Sequence, residues 1–191
     1  KNKFNVTVFD IKRNKFQKKI KFIKGNITNR KKIYKLIKKY DYIFNFAGIS
    51  DIANANISPL STIYQNFLGT INILEALKFK KIKRFIFASS IYAISSQGGF
   101  YSATKRSCEN IIEEYSKKYG INYTILRYGS LYGTRANKLN AIHNFISQAL
   151  KTNKIIRKGN GQEIRNYINV KDAANITFHI LNKKYNNKYL N

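Results

Sequence analysis

The sequence is poor in the features of disulfide-linked, exported or membrane-embedded proteins. It has a single cysteine, Cys108, in 191 residues, so an internal disulfide framework is excluded and a reducing compartment is favoured. No apolar run approaches the roughly 18 residues needed to cross a bilayer, and no signal-peptide pattern opens the chain. We therefore expect a soluble, cytoplasmic protein with no membrane partner.

Methionine is absent as well. Because translation starts with this residue, we expect that Lys1 is not the native N-terminus. The sequence also lacks internal repeats, low-complexity tracts and flexible linkers. A second domain, if present, is therefore expected to be interleaved with the first rather than joined to it by a tether.

Acidic residues are scarce: 9 aspartates and glutamates stand against 36 lysines and arginines, and the net charge is +27. Such a surface attracts polyanions at low salt, so a polyanion-binding protein is one hypothesis. The cations are spread from Lys1 to Lys188, however, and they accompany many residues encoded by AT-rich codons. Mutational bias accounts for this composition, and we predict no specific nucleic-acid partner.

Short apolar segments alternate with segments of helical periodicity. The predicted strands are residues 5–9, 21–24, 42–47, 84–88 and 122–127. The predicted helices are one capped by Thr28 that runs through Ile37, followed by residues 58–78, 101–119 (with Gly120 as a left-handed C-cap), 141–150 and 171–181. Strands that are apolar throughout and alternate with helices indicate an α/β fold with a parallel sheet covered on both faces.

Tyr101 and Lys105 carry the strongest chemical signal. Residues at positions i and i+4 share one helical face, with Cβ atoms roughly 5–6 Å apart, so an ammonium group there lowers the pKa of the phenol. Ser90, at the end of the preceding strand, would hold a substrate alcohol while Tyr101 removes its proton. The alternative is a solvated helix face without chemistry, and spacing alone favours that alternative.

Further motifs follow one another in a characteristic order. They are Asp10 after the first strand, Gly25–Thr28, Phe46–Gly48, Asn66–Thr70, Arg84–Ser90, Tyr101 with Lys105, Leu126–Gly133, Gly159–Ile168 and Val170–Ala174. Together they resemble the extended short-chain dehydrogenase/reductase family, specifically its NAD-dependent nucleotide-sugar epimerases and dehydratases, over nearly the whole chain. The resemblance implies a Rossmann-like, doubly wound parallel sheet, NAD as cofactor and a nucleotide-sugar substrate. It also implies a homodimer formed by the helices at residues 58–78 and 101–119.

The resemblance assigns roles to individual residues. Ser90, Tyr101 and Lys105 match the catalytic hydroxyl and the catalytic tyrosine–lysine pair. Cofactor-binding positions are matched by Asp10, Asn26, Ile27, Phe46, Ala47, Gly48, Asn66, Ala88 and Tyr128, and substrate-binding positions by Ser130 and Arg165. A carboxylate at Asp10 accepts hydrogen bonds from a ribose 2′-hydroxyl and repels a 2′-phosphate, so NAD is expected rather than NADP. The neighbouring Lys12 and Arg13 weaken that preference.

The chain also departs from the family pattern. The glycine-rich turn Gly-x-x-Gly-x-x-Gly is missing, although Asp10 stands where the acid that follows this turn is expected. We therefore expect residues 1–130 to form an incomplete NAD-binding Rossmann domain without its first strand and glycine-rich loop. Residues 131–191 are expected to form part of an interleaved substrate-binding region that stops before the family's usual end.

Ile91 and Tyr92 follow Ser90 directly, where the family's dehydratases carry an Asp-Glu pair. Neither side chain protonates a leaving hydroxyl as a carboxylic acid does. An epimerase or simple dehydrogenase with Tyr101 as base is therefore favoured over a nucleotide-sugar 4,6-dehydratase. A non-catalytic Rossmann-like binding module is a further alternative, because the glycine-rich turn is absent.

Several residues also have purely structural interpretations. Asn66 is a candidate for a kink in its helix rather than for a cofactor contact. His143 and His179 are isolated from cysteines and carboxylates, so no metal site is predicted. Cys108 follows Lys105 by about one helical turn and is expected to be a small buried apolar residue.

Overall fold

The computed structural model describes residues 4–14, 19–157, 159–162 and 164–191. The strands are β1 (Thr7–Asp10), β2 (Lys21–Lys24), β3 (Tyr42–Asn45), β4 (Arg84–Ser90), β5 (Tyr123–Tyr128), β6 (Ser130–Tyr132), β7 (Tyr167–Asn169) and β8 (Lys188–Leu190). The α-helices are α1 (Arg30–Ile37), α2 (Ile52–Ile57), α3 (Pro59–Thr62), α4 (Gly69–Leu77), α5 (Gly99–Tyr119), α6 (Ala141–Thr152) and α7 (Val170–His179). A π-helix covers Ile63–Leu68, and 3₁₀-helices cover Ile91–Ile94 and Lys183–Tyr185.

The strand pairings of the described residues are all parallel. The central sheet has the order β3-β4-β5-β8, while β1 pairs with β2 and β6 pairs with β7 in separate sheets. The predicted α/β class with parallel strands is confirmed. The Rossmann-like sheet is divided into two parts, because no strand of the described residues bridges β1 and β3.

Strand β4 lies between two apolar layers. Phe85 and Phe87 point to one face, where they pack with buried residues of α1, α4 and α5. Ile86 points to the other face and packs with Leu126 of β5 and Ile180 at the end of α7. Successive strand residues alternate between faces, so a continuous apolar run is what a strand covered on both sides requires.

The structure corrects the predicted start of α1. Asn29, not Thr28, is the N-cap, and its Oδ1 accepts a hydrogen bond from the amide of Lys32 at 3.0 Å. Thr28 instead donates its amide and its hydroxyl to Oδ1 of Asn26, both at 2.9 Å. An Asx turn therefore precedes the helix, and the capping role moves one residue along the chain.

The long helix predicted at residues 58–78 is a continuous series of α3, the π-helix and α4. Asn66 lies within the π-helix, in agreement with its interpretation as a residue at a helix irregularity. Its carbonyl accepts hydrogen bonds from the hydroxyl of Thr70 at 2.7 Å and the thiol of Cys108 at 3.3 Å. Side chains thus satisfy a carbonyl in a segment where the regular helical ladder is altered.

Helix α5 ends as predicted at Gly120, which has a φ of +67° and donates its amide to the carbonyl of Ser116 at 2.8 Å. The elements α2, β6, β7 and β8 are additions to the predicted set. Among these, β8 pairs with β5, so the chain returns to the central sheet after α7. Within the described residues, no helix combines the length and the apolar character needed to cross a membrane.

Candidate active site

Several of the residues predicted to act on substrate and cofactor lie at one edge of the central sheet. Because its strands are parallel, the carboxyl ends of β3, β4 and β5 lie side by side, at Asn45, Ser90 and Tyr128. In open α/β sheets, ligands bind in the crevice outside these ends. Helix α5 begins beside this edge and brings Tyr101 and Lys105 to it.

Ser90, Tyr101 and Lys105 lie close together, as the sequence predicts. Their exposed fractions are 6%, 9% and 7%, so all three are buried. The Ser90 hydroxyl is close enough to the Tyr101 phenol to act on its pKa, and the Lys105 nitrogen lies 5.9 Å from the centre of the Tyr101 ring. The three groups needed for proton transfer from a bound alcohol are therefore neighbours in the fold.

The predicted lowering of the Tyr101 pKa is wrong. Burial raises the pKa of Tyr101, the hydrogen bond from Ser90 opposes that rise, and the nearby phenol of Tyr92 adds to it. Lys105 does not act on the phenol directly, since its nitrogen donates to the carbonyl of Ala88 at 2.7 Å. Burial in an apolar setting therefore outweighs the spacing argument.

Lys105 is itself strongly affected by its surroundings. Its nitrogen lies 4.8 Å from the centre of the Phe87 ring, and the residue is almost fully buried. Burial lowers the pKa of Lys105 to about 8, although the nearby Glu109 favours the charged form. Perturbed pKa values of this kind, next to a second ionisable group in a crevice, are typical of functional sites.

Asn66 organises the loop that follows β3. Its Oδ1 accepts from the amide of Ile49 at 2.7 Å, and its Nδ2 donates to the carbonyl of Ile49 at 3.0 Å and to the hydroxyl of Thr104 at 3.2 Å. Gly48 in this loop has a φ of +148°, and a Cβ there would lie 2.6 Å from Oδ1 of Asn66. The side chain of Asn66 therefore fixes the loop at Ile49, directly after Gly48, while Oδ1 of Asn45 at the end of β3 accepts from the amide of Ala47 at 3.2 Å.

Asp10, Asn26 and Ile27 lie near the carboxyl ends of β1 and β2. Asp10 is exposed, and its Oδ1 accepts from the amide of Lys12 at 3.2 Å. Asn26 uses its Oδ1 for the turn before α1, while the side chain of Ile27 is buried in the larger core cluster. Asp10 is thus available to a ligand, and a ligand contact from Ile27 would have to come from its backbone.

Tyr128 lies at the carboxyl end of β5 and contacts Phe46 in the loop after β3. The two predicted substrate residues, Ser130 and Arg165, lie on later segments of the chain. The Tyr128 ring packs 6.5 Å from that of Phe46, and its hydroxyl is hydrogen-bonded to that of Thr177. The amide of Ser130 donates to the carbonyl of Asn166 at 2.7 Å, next to Arg165. The Arg165 side chain is exposed and donates to the hydroxyl of Tyr92 at 2.6 Å. Glu163 of the predicted Gly159–Ile168 motif lies outside the described residues.

A buried ion pair between Glu109 and Arg127 stabilises the elements that carry the site. The sequence analysis did not predict it. Glu109, one helical turn after Lys105, accepts hydrogen bonds from the hydroxyl of Ser89 at 2.5 Å and from Nη2 of Arg127 at 2.7 Å. It thereby links α5 to the ends of β4 and β5. A glutamate four residues after Lys105, in a chain with only 9 acidic residues, is the sequence signal that was available.

No cluster of three or more His, Cys, Asp or Glu residues able to hold a metal occurs in the part of the chain that the structure describes. Cys108 is fully buried, as predicted, and burial raises the pKa of its thiol to about 11. A thiol held in the protonated form in this way is a poor nucleophile, which fits its structural interpretation.

A family model described as the NAD dependent epimerase/dehydratase family matches residues 1–191. The chain belongs to this family. NAD is the cofactor named in the family's description, and the family consists of enzymes that act on nucleotide-sugars, as the relatives below illustrate. The predicted resemblance is therefore confirmed.

Relatives of both reaction types match the chain. A putative UDP-glucose 4-epimerase of Methanocaldococcus jannaschii is 28% identical over 96% of the chain and 67% of the relative. A dTDP-D-glucose 4,6-dehydratase of Dictyostelium discoideum is 26% identical over 85% of the chain and 44% of the relative. The chain thus spans about half to two thirds of the length of these curated relatives.

The fold also matches a solved epimerase structure. A mutant UDP-glucuronic acid 4-epimerase from Bacillus cereus, in complex with a UDP-sugar analogue and NAD, superposes with a TM-score of 0.84 and 25% identity. The match covers 92% of this chain and 60% of that one. This likeness confirms the Rossmann-like fold class.

Proposed function

We propose that the protein is an NAD-dependent epimerase or dehydrogenase that acts on a nucleotide-sugar, with Tyr101 as the base. One observation carries this proposal: the Ser90 hydroxyl, the Tyr101 phenol and the Lys105 amine lie together beside the carboxyl end of β4. Residues 1–130 would supply the NAD-binding unit, and residues 131–191 part of the substrate-binding region, with Ser130 and Arg165 as substrate contacts.

The residues at the sheet edge fit NAD. Asp10 offers an exposed carboxylate to the adenosine ribose, and the turn at Asn26 and Ile27 lies near it. The loop at residues 46–48 approaches Asn66 so closely at Gly48 that only glycine fits, and these three residues are exposed and thus accessible to a ligand. Ala88 and Tyr128 would complete the cofactor contacts, and Asn66 would act through the loop that it holds. When bound, NAD supplies the acceptor for a hydride from the sugar carbon.

Ser90, Tyr101 and Lys105 would bind the substrate hydroxyl and transfer its proton. The Ser90 hydroxyl lies near the Tyr101 phenol, and a sugar hydroxyl that reaches this position would be held between the two groups. As the phenolate, Tyr101 would accept the alcohol proton while the alcohol carbon is oxidised, and would return that proton on reduction. The Lys105 ammonium would favour the phenolate by charge if it moved from the Ala88 carbonyl toward the Tyr101 oxygen.

Epimerisation is favoured over 4,6-dehydration by the residues after Ser90. Ile91 has no ionisable group, and the phenol of Tyr92 is engaged by Arg165 at 2.6 Å. Elimination of water needs an acid that protonates the leaving hydroxyl, whereas epimerisation needs only removal and return of the hydride at one carbon. The same argument allows simple oxidation or reduction of the sugar.

The test is a panel of UDP-, dTDP- and GDP-sugars incubated with the purified protein and NAD, with the products identified by NMR. We expect a sugar inverted at one carbon, or a stoichiometric keto-sugar for a dehydrogenase. A 4-keto-6-deoxy product would assign the dehydratase reaction instead. Binding of NAD without any product from the panel would favour the non-catalytic Rossmann-like module.

We also propose that the protein forms a homodimer through the helices at residues 58–78 and 101–119. Exposed apolar side chains within or directly next to these two helices support the proposal; they are Ile57, Leu60, Ile63, Tyr64, Leu68 and Phe100. A dimer would bury this apolar surface. Sedimentation velocity at micromolar concentration should give a dimer that Leu60→Glu dissociates, while Leu150→Glu on α6 leaves it intact. A monomeric wild-type protein would contradict the proposal.

A further inference from the structure

Tyr92 connects two parts of the candidate site that are distant in sequence. It follows Ser90 by two residues, and its amide donates to the Ser90 hydroxyl at 3.3 Å. Its ring lies edge-on to the Tyr101 ring, with centroids 6.4 Å apart and an angle of 70° between the planes. Its hydroxyl accepts from Arg165, which lies 73 residues further along the chain.

The Tyr92 ring is held firmly. Its carbonyl accepts from the hydroxyl of Ser102 in the first turn of α5 at 2.7 Å. Gly98, the residue before α5, packs so closely that a Cβ there would lie 3.2 Å from Cδ1 of Tyr92. The phenol oxygen is therefore a fixed hydrogen-bond acceptor. Tyr92 lies on the 3₁₀-helix between β4, which carries Ser90, and α5, which carries Tyr101.

Arg165, by contrast, lies in an open segment. The described residues between α6 and β7 are exposed, and β7 begins two residues after Arg165. An arginine on such a segment samples many rotamers, and ordering it costs conformational entropy. The hydrogen bond to Tyr92 fixes the guanidinium near Tyr101. The conformational entropy of the Arg165 side chain is therefore lost before a ligand binds, which favours binding.

We propose that Tyr92 is a positioning residue that holds Arg165 over the candidate site for the diphosphate of the nucleotide-sugar. This inference rests on the proposed function. A guanidinium has five N–H donors, and a single bond to a neutral phenol leaves donors and the full positive charge for a phosphate. A carboxylate at residue 92 would instead neutralise Arg165, so the phenol favours an anionic ligand at this position.

The anchor itself is tested without any ligand, by limited trypsin digestion followed by mass spectrometry. Trypsin must take the Arg165 side chain into its own pocket, so the bond to Tyr92 should protect the Arg165–Asn166 bond. We expect Tyr92→Phe to accelerate cleavage after Arg165 several-fold relative to cleavage after Lys154 in the same segment. Tyr40→Phe is the control, because the Tyr40 hydroxyl has no hydrogen-bond partner among the described residues. An unchanged cleavage ratio in Tyr92→Phe would overturn the proposal.

The positioning role is tested by a double-mutant cycle on the KM of the nucleotide-sugar. Tyr92→Phe and Arg165→Gln should each raise KM about tenfold or more, with kcat changed less than threefold. The double variant should be no worse than Arg165→Gln alone, because the phenol acts through the guanidinium. Additive effects, or a loss confined to kcat, would contradict it. If the wild-type protein turns over no nucleotide-sugar, the proposed function fails, whereas the digestion still decides whether Tyr92 anchors Arg165.

Discussion

Helix α5, which carries Tyr101 and Lys105, and helix α6, which precedes the segment with Arg165, are supported very differently. Helix α5 buries seven of its 21 residues, among them Tyr101, Lys105 and Glu109, against the central sheet and α4. Helix α6 has 12 residues and none of them is buried; Ile146 is 55% exposed and Leu150 is 81% exposed. The acid–base groups thus stand on a packed element, and the open segment with Arg165 follows the exposed one.

This difference matches the precision that each function requires of its residues. Proton transfer requires groups held within about 0.5 Å of the productive geometry, so it belongs on elements whose rotamers are locked by packing. Recognition of a large, flexible ligand allows a segment that is fixed at a few points, such as the bond between Arg165 and Tyr92. Substitutions on α5 should therefore lower the free energy of unfolding strongly, whereas equivalent substitutions on α6 should lower it little.

The largest effect is expected at the buried ion pair of Glu109 and Arg127. Glu109→Gln leaves the Arg127 guanidinium without its charge partner, and we expect a loss of about 3–5 kcal/mol in the free energy of unfolding. Glu114→Gln is the matched control on the same helix, because its pair with Lys117 is exposed to solvent, and its effect should be far smaller. Urea denaturation checks both values, and equal effects would show that burial does not distinguish the two pairs.

Isoleucine truncation compares the two helices directly. Ile112 on α5 is 1% exposed, so Ile112→Ala should cost about 2–5 kcal/mol through lost burial and the cavity that remains. Ile146→Ala on α6 should change stability by less than about 0.5 kcal/mol, since that side chain is already exposed. Thermal or urea unfolding measures the difference, and a large loss at Ile146 would mean that α6 is covered in solution.

The third prediction concerns Lys105, whose effect on the free energy of unfolding should depend on pH. Its pKa is about 8 in the folded protein against an ordinary value of 10.5, so at neutral pH a buried charge opposes folding. Between pH 8 and 10.5 the folded state releases its proton while the unfolded state keeps it, and the free energy of unfolding rises. The stability advantage of Lys105→Met over wild type should therefore shrink by roughly 3 kcal/mol from pH 7 to 10.5.

Urea titrations at pH 7, 8, 9 and 10 measure this trend. Lys151→Met on the exposed α6 is the control for the loss of a lysine that is not buried. A constant difference between Lys105→Met and wild type would show that the Lys105 charge is not opposed by burial.

The sequence predicted the parts of the fold that local patterns determine. Residues 21–24 form a strand at the predicted positions, and α5 ends at Gly120, because apolar runs and a left-handed glycine are local signals. Helix α2 was not predicted, since its sequence IANANI has two asparagines and reads as a loop; Asp51 caps it. Strand β8 has only three residues, and its place beside β5 depends on a non-local pairing.

For the candidate site, sequence indicated which groups meet but not their energetics. The meeting of Tyr101 with Ser90 followed from strand and helix positions, whereas the rise of the Tyr101 pKa depends on burial that no spacing reports. The bond between Tyr92 and Arg165 spans 73 residues and was invisible to any local pattern. Long-range contacts of this kind emerge only from the packed chain.

The central claim is that Tyr101 is the acid–base group, and Tyr101→Phe tests it most directly. The variant keeps the ring and its packing but removes the proton-accepting oxygen. Turnover of the nucleotide-sugar should fall by roughly 10²–10⁴-fold, with the affinity for NAD, measured by calorimetry, changed less than threefold. Tyr40→Phe should leave both quantities at wild-type values. Turnover by Tyr101→Phe at the wild-type rate would contradict the account.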